Sequence, residues 1–233
     1  IRYMFKFKNL SFPWDYNFPD YLIFSISQFY FKEQVYKIKI SFCNMKLAVL
    51  FSGGKDSCLA LQKAAQQHEI ACLINILSQN EASYMFHTPN IHLAKMQAEA
   101  IGLPLIQKTT KGEKEKELED LKDALIEAKK EYKIEGIVTG AIKSVYQSSR
   151  IGKICDELGL QCINPLWQRD EIELLNELVK NNFKVLISGI FAFPLDKSFL
   201  GKIIDAEIIK KLEVLKEKYK INPAGEGGEF ESF

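Results

Sequence analysis

From Met45 onward, short runs that are apolar throughout alternate with longer stretches whose apolar residues recur every three or four positions. A run such as Lys46-Leu-Ala-Val-Leu-Phe51 has no polar face, so a strand built from it must be covered on both sides. A parallel sheet layered between helices does that, and the intervening amphipathic stretches supply the helices. Strand runs fall at Lys46–Phe51, Ile70–Leu77, Leu103–Gln107, Glu135–Thr139, Cys162–Ile163 and Val185–Phe191. Helices are expected near 57–67, 91–101, 118–132, 147–158, 171–180 and 206–219. Leu118, Leu121, Leu125, Ala128 and Tyr132 show the helical spacing, while Gly102 and Asn222-Pro223 mark helix ends. The chain therefore reads as an α/β protein with an open parallel sheet and helices on both faces. Its expected division is a domain over 45–160 and a smaller C-terminal lobe over 161–233.

Residues 1–44 do not share the pattern. They hold 14 of the 27 aromatic residues in the 233-residue chain, with no sustained period of 2 or 3.6. A small-residue cleavage site is lacking and charges recur, so the segment does not read as a signal peptide. It is expected to be an extension outside the fold; a partner-binding or membrane-surface arm and an extra packing layer are the alternatives. Lys+Arg 31 against Asp+Glu 30 leaves a net charge of +1, which argues against a protein held on DNA or RNA by bulk charge. No run of about 18 apolar residues marks a membrane span. Cys43, Cys58, Cys72, Cys155 and Cys162 contain no Cys-x-x-Cys pair, so disulfide frameworks, iron–sulfur sites and zinc ribbons are not expected. A reduced, cytoplasmic setting is.

The sharpest local signal is Ser52-Gly53-Gly54-Lys55-Asp56-Ser57, between the first strand and the first helix. Ligands of open α/β sheets bind beyond the carboxyl ends of the strands. Two adjacent glycines let the backbone approach an anion, and the N–H groups of the turn and helix N-terminus point at negative charge. Ser52 and Ser57 add hydroxyl donors, Lys55 a cation, and Asp56 either a helix cap or a magnesium contact. Lys55 and Asp56 are both expected to point away from the core. The turn is neither Gly-x4-Gly-Lys-Ser/Thr nor Gly-x-Gly-x-x-Gly. Cys58, on the first helical turn, reads as a core-facing thiol, and Cys155 and Cys162 as buried packing thiols.

Ser-Gly-Gly-x-Asp-Ser resembles the pyrophosphate loop of the PP-loop ATP pyrophosphatases, which cut ATP between the α and β phosphates and activate an acceptor as its adenylate. An ordered set of further motifs resembles one branch, the diphthine–ammonia ligase (diphthamide synthetase) family. These are Ser83-Tyr-Met-Phe-His-Thr-Pro-Asn90, Thr139-Gly-Ala-Ile142 with Tyr146-Gln147 and Arg150, Pro165-Leu-Trp167, Leu195-Asp196 with Phe199-Leu-Gly201, and Gly225-Glu-Gly-Gly-Glu-Phe-Glu231. The resemblance covers 45–233 and none of 1–44.

That resemblance implies an enzyme using ATP, magnesium and ammonium to amidate diphthine, the modified histidine of translation elongation factor 2. The implied chemistry rests on Lys55, Asp56, Glu226 and Glu229, with Asp56 toward the metal. Ser52, Gly53, Gly54, Lys55, Asp56, Ser57, His87, Gly140 and Arg150 form the implied nucleotide site. His87 either donates to phosphate, positions the acceptor or caps its loop. Gly140 stands at the carboxyl end of the fourth strand, where close approach to the nucleotide favours glycine. Arg150 shares a helix face with Tyr146 and either holds phosphate or forms a surface ion pair. Glu226 and Glu229 lie in a segment whose three glycines make ordering costly. The resemblance implies that they, or an aromatic face such as Trp167, contact the acceptor's trimethylammonium, or that a glutamate binds ammonium or takes its proton; a flexible tail is the plain alternative. Family members usually continue past Gly-Glu-Phe-Glu, whereas this chain stops at Phe233, so a second lobe lacking an edge is expected. Another PP-loop adenylating enzyme, for example one modifying transfer RNA, and a non-catalytic ATP-binding protein are the competing readings.

Overall fold

The computed structural model describes residues 44–80, 93–113 and 115–233. The expectations for 1–43 and for Ser83–Asn90, His87 included, lie outside the described residues. Within them the order is β1 (Lys46–Leu50), α1 (Lys55–Ala65), β2 (Glu69–Ser78), α2 (Ala94–Ile101), β3 (Leu105–Thr110), α3 (Glu117–Tyr132) and β4 (Gly136–Val138). Then follow α4 (Val145–Leu158), β5 (Gln161–Ile163), α5 (Glu171–Lys180), β6 (Ile187–Ile190), α6 (Ala206–Tyr219) and β7 (Phe230–Ser232).

Strands β1 to β5 form one parallel sheet in the order β3-β2-β1-β4-β5. Alternate residues of each strand face opposite sides, so the apolar runs feed two cores. Leu47, Val49, Phe51 and Leu73 join α1, α5 and α6 on one side. Ala48, Ile74, Ile76 and Ile137 join α3 and α4 on the other. Each fully buried Leu or Ile contributes about 1.5–3 kcal/mol, and β1, with Leu47, Ala48 and Val49 all inaccessible, is committed on both faces. The helices stop and start where local chemistry dictates. Gly102 closes α2 in the left-handed region at φ +81. Asp170 caps α5 through the N–H groups of Ile172 and Glu173, and Asp205 caps α6 through that of Ile208.

Three placements differ from the expectation. The third strand starts two residues late, after Pro104, which has no N–H to give to a ladder. Strand β5, expected to open the second lobe, instead forms the edge of the main sheet beside β4. The stretch around Glu229, read as loop, runs into β7, which pairs antiparallel with β6 to make the small lobe's own sheet. The strand order reverses between β1 and β4, so the crevice beyond their carboxyl ends is flanked by the turns 51–55 and 139–144.

Candidate active site

The turn after β1 is shaped by its own hydroxyls. Gly54 N–H donates to Ser52 Oγ at 3.3 Å, Ser52 Oγ lies 3.3 Å from Ser57 Oγ, and Ser57 Oγ donates to the Gly54 carbonyl at 2.9 Å. Gly54 is the N-cap of α1 and offers no side-chain cap. Gly53 has φ +84, where an L side chain is strained, and a Cβ there would also have to push the Gln97 amide, 2.1 Å away, off its place. Gln97, on α2, donates to the Gly53 carbonyl at 3.0 Å. Asn75, buried in β2, donates to the Phe51 carbonyl at 2.7 Å and accepts from Gln107 at 3.1 Å. Neither Gln97 nor Asn75 stood out in the sequence, because each acts on a turn far along the chain; a polar residue inside the apolar run of β2 was the one available sign.

Lys55 is only 6% exposed, contrary to the expectation that it points outward. Its ammonium lies 2.8 Å from Asp56 Oδ2 and 5.5 Å from the centre of the Phe230 ring, so the second lobe covers it. Burial pushes the Asp56 carboxyl above its ordinary value, Lys55 pulls it back, and the charges of Glu226 and Glu231 push it further up. Burial pushes the Cys58 thiol up to about 12, and its Sγ faces the Gly53 carbonyl at 3.6 Å, in keeping with a neutral structural thiol. Cys155 is buried in α4 and Cys162 half-buried in β5; both are free thiols.

The turn after β4 is held from three directions. Thr139 Oγ1 bonds Asn164 Oδ1, and Ala141 N–H donates to Thr139 Oγ1 at 3.2 Å. Gln168 N–H, one residue beyond Trp167, donates to the Ile142 carbonyl at 2.7 Å. Glu226 completes the turn. Its Oε1 accepts from the N–H groups of Ile142, Lys143 and Ser144 at 2.9, 2.8 and 3.2 Å, and its Oε2 from Lys143 N–H at 3.0 Å. Ser144 is the N-cap of the 14-residue helix α4, so this carboxylate sits at the positive end of a helix dipole. Gly140 is pressed against the other turn: a Cβ on it would lie 2.9 Å from Asp56 C and Ser57 N. The close approach that calls for glycine here is to α1.

Glu229 and Glu226 were expected to face the acceptor's cation, to bind ammonium and take its proton, or to be part of a flexible tail. In the structure both carboxylates accept backbone N–H groups instead. Glu229 Oε1 accepts from Asn222 N–H at 2.8 Å and closes a compact loop, while its Oε2 is buried without a hydrogen-bond partner. The left-handed residues Gly225 (φ +75) and Gly228 (φ +81) make that loop possible. At its far end Ser232 Oγ accepts from Lys55 N–H at 3.3 Å. Arg150 is engaged with Glu115 and Tyr146. Its guanidinium bonds Glu115 at 2.7 and 2.9 Å and lies 3.6 Å from the Tyr146 ring centre, which is the ion-pair alternative for this residue. Among the described residues no three His, Cys, Asp or Glu side chains are grouped to hold a metal. A magnesium ion carried chiefly by phosphate oxygens would need only one or two carboxylates, and Asp56, with its side chain 30% exposed at the turn, is the carboxylate that could reach it.

The family profile described as "Diphthamide synthase N-terminal domain" matches residues 45–162, and "Diphthamide synthase C-terminal domain" matches 170–233. Proteins named diphthine--ammonia ligase from Bos taurus and Homo sapiens are 37% identical over 209 aligned residues, covering 81% of this chain and 78% of theirs. One of the same name from Schizosaccharomyces pombe is 32% identical, with 34% of its length covered. Among solved structures, the U34-tRNA thiolase NcsA from Methanococcus maripaludis superposes with a TM-score of 0.38 at 18% identity, covering 87% of this chain and 76% of that one. A likeness that loose carries no argument about chemistry.

Proposed function

The chain belongs to the diphthamide synthase family, and from that premise we propose that it is an ATP-dependent diphthine–ammonia ligase. The observation that carries the reading is the Ser52–Ser57 turn at the sheet's switch point, gripped by a C-terminal segment that brings Ser232 onto Lys55 N–H. ATP binds beyond β1 and β4 with its β and γ phosphates on the turn. Lys55 and the N-terminus of α1 balance their charge. Magnesium, with Asp56 as its protein ligand, supplies further neutralisation of the phosphates when bound.

An oxygen of the diphthine carboxylate attacks the α-phosphorus, the bond from that phosphorus to the β-bridging oxygen breaks, and pyrophosphate departs with the electron pair. Ammonia then attacks the acyl carbon. AMP leaves with the former carboxylate oxygen, and the attacking nitrogen loses a proton to give the amide. A carboxylate resists attack by ammonia, and the mixed anhydride with AMP removes that obstacle. The acceptor is diphthine on translation elongation factor 2. Free thiols at Cys58, Cys72, Cys155 and Cys162 suit the cytoplasm, where such a factor works. No described helix is long and apolar enough to cross a membrane.

The test supplies ATP, magnesium and ammonium with diphthine-bearing elongation factor 2, and in parallel with transfer RNA. Amide formation on the factor, lost when ammonium or ATP is omitted, is the expected result. AMP release driven by transfer RNA and not by the factor would replace this reading with the RNA-modifying one.

A further inference from the structure

The two turns that border the crevice are not independent, and one segment holds both. From Gly225 to Ser232 the chain places Glu226 on the N–H groups of residues 142–144 and Ser232 on the N–H of Lys55. The turns meet closely at Gly140, where even a methyl group would come within 2.9 Å of the backbone of Asp56 and Ser57. A shift of the 140–144 turn therefore moves the first turn of α1. Three successive N–H donors at a helix N-terminus bind a charged acceptor more strongly than a neutral one.

We propose that Glu226 is a positioning residue for the nucleotide site: its carboxylate, bonded to Ile142, Lys143 and Ser144, sets the phosphate-binding turn through Gly140 without touching the nucleotide. The inference rests on the reading of Ser52–Ser57 as a nucleotide site, and it concerns this residue's charge. Glu226→Gln keeps the length and one acceptor oxygen but turns an NH2 group toward N–H donors. It loosens the 140–144 turn and, through it, the other turn.

The experiment measures magnesium-ATP binding to the full chain by calorimetry with no acceptor present, alongside thermal unfolding and the pH profile of turnover. Replacing a charged by a neutral acceptor is expected to weaken ATP binding about tenfold in Glu226→Gln. The KM for ATP rises in step, while kcat, the KM for ammonium and the pH profile stay as in the parent. Glu226→Asp keeps the charge on a shorter arm and is expected to weaken binding by about two- to fivefold. Unchanged ATP affinity in Glu226→Gln overturns the proposal, whether Tm falls or not. So does a fall in kcat with a displaced pH profile at unchanged ATP affinity, which is the signature of a general base. If Glu226→Gln does not fold, the Asp variant decides, and parent-like affinity there overturns the proposal. A parent chain that does not bind ATP defeats the nucleotide reading itself, a result distinct from all of these.

Discussion

The turns after β1 and β4 offer the same backbone chemistry to different partners. After β1, the N–H groups of Gly54 and Lys55 meet neutral hydroxyls, Ser52 Oγ and Ser232 Oγ, both at 3.3 Å. After β4, three N–H groups meet one carboxylate at 2.8 to 3.2 Å. A bond to a charged group contributes about 1.5–3 kcal/mol and a neutral one about 0.5–1.5 kcal/mol. A phosphate arriving at the first turn displaces weak partners, whereas one arriving at the second must expel a carboxylate. A switch point alone does not make a turn into a ligand site; on the proposed reading, the strength with which the chain's own groups hold each turn decides which one binds and which one supports.

The largest expected effect falls on the binding turn. Lys55→Ala and Asp56→Ala should each cut pyrophosphate release by about 100-fold or more, the scale of losing a charge-stabilising group. Because Lys55 is buried beside Asp56, Lys55→Ala should also lower Tm by several degrees. Parent-like turnover in either variant would remove that residue from the chemistry.

Next comes the contact between the turns. Gly140→Ala places a Cβ against backbone and should weaken ATP binding about tenfold with a loss of about 1–3 kcal/mol in stability. Gly152→Ala, in α4 with nothing within 4 Å of the new Cβ, should instead stabilise by up to about 1 kcal/mol and leave binding alone. Equal effects from the two substitutions would show that the turns are not coupled through Gly140. Ser232→Ala frees the Lys55 N–H for an arriving phosphate and should leave ATP affinity unchanged or raise it by up to about two- to fivefold, measured by the same titration.

The smallest effect at neutral pH concerns the small lobe's ties. Burial works to raise Glu177 and Glu171, but Lys63 and Arg169 hold the first, and Lys143 and Lys216 the second, below their ordinary value of 4.5. A carboxyl lowered in the folded state stabilises it fully above the unfolded pKa, and that contribution is lost as pH falls through the folded one. Stability should therefore be flat above about pH 5 and fall below 4.5, and Glu177→Gln should flatten the acid limb. An unchanged acid limb would show that these pairs do not tie α5 to the main domain.

What the sequence made legible was local. The Ser52–Ser57 turn was readable because strand, glycines and helix lie within a dozen residues, and the helix 171–180 appeared at its observed bounds because its apolar spacing is local. The hydrogen bonds of Glu226 were not readable, since its donors lie 82–84 residues away. Lys55 was misjudged for the same reason: the ring that covers it, Phe230, arrives from the other end of the chain. Strand β7 is three residues long beside a glycine-rich loop and exists only because β6 is there to pair with it.

On the proposed reading, the turn Ser52–Ser57 holds pyrophosphate while the acceptor's carboxylate takes the α-phosphorus. Oxygen-18 in the diphthine carboxylate tests it most directly. With ATP, magnesium and ammonium, one labelled oxygen should appear in AMP for each amide formed, and pyrophosphate should carry none. Unlabelled AMP, or ADP with inorganic phosphate in its place, would contradict the account.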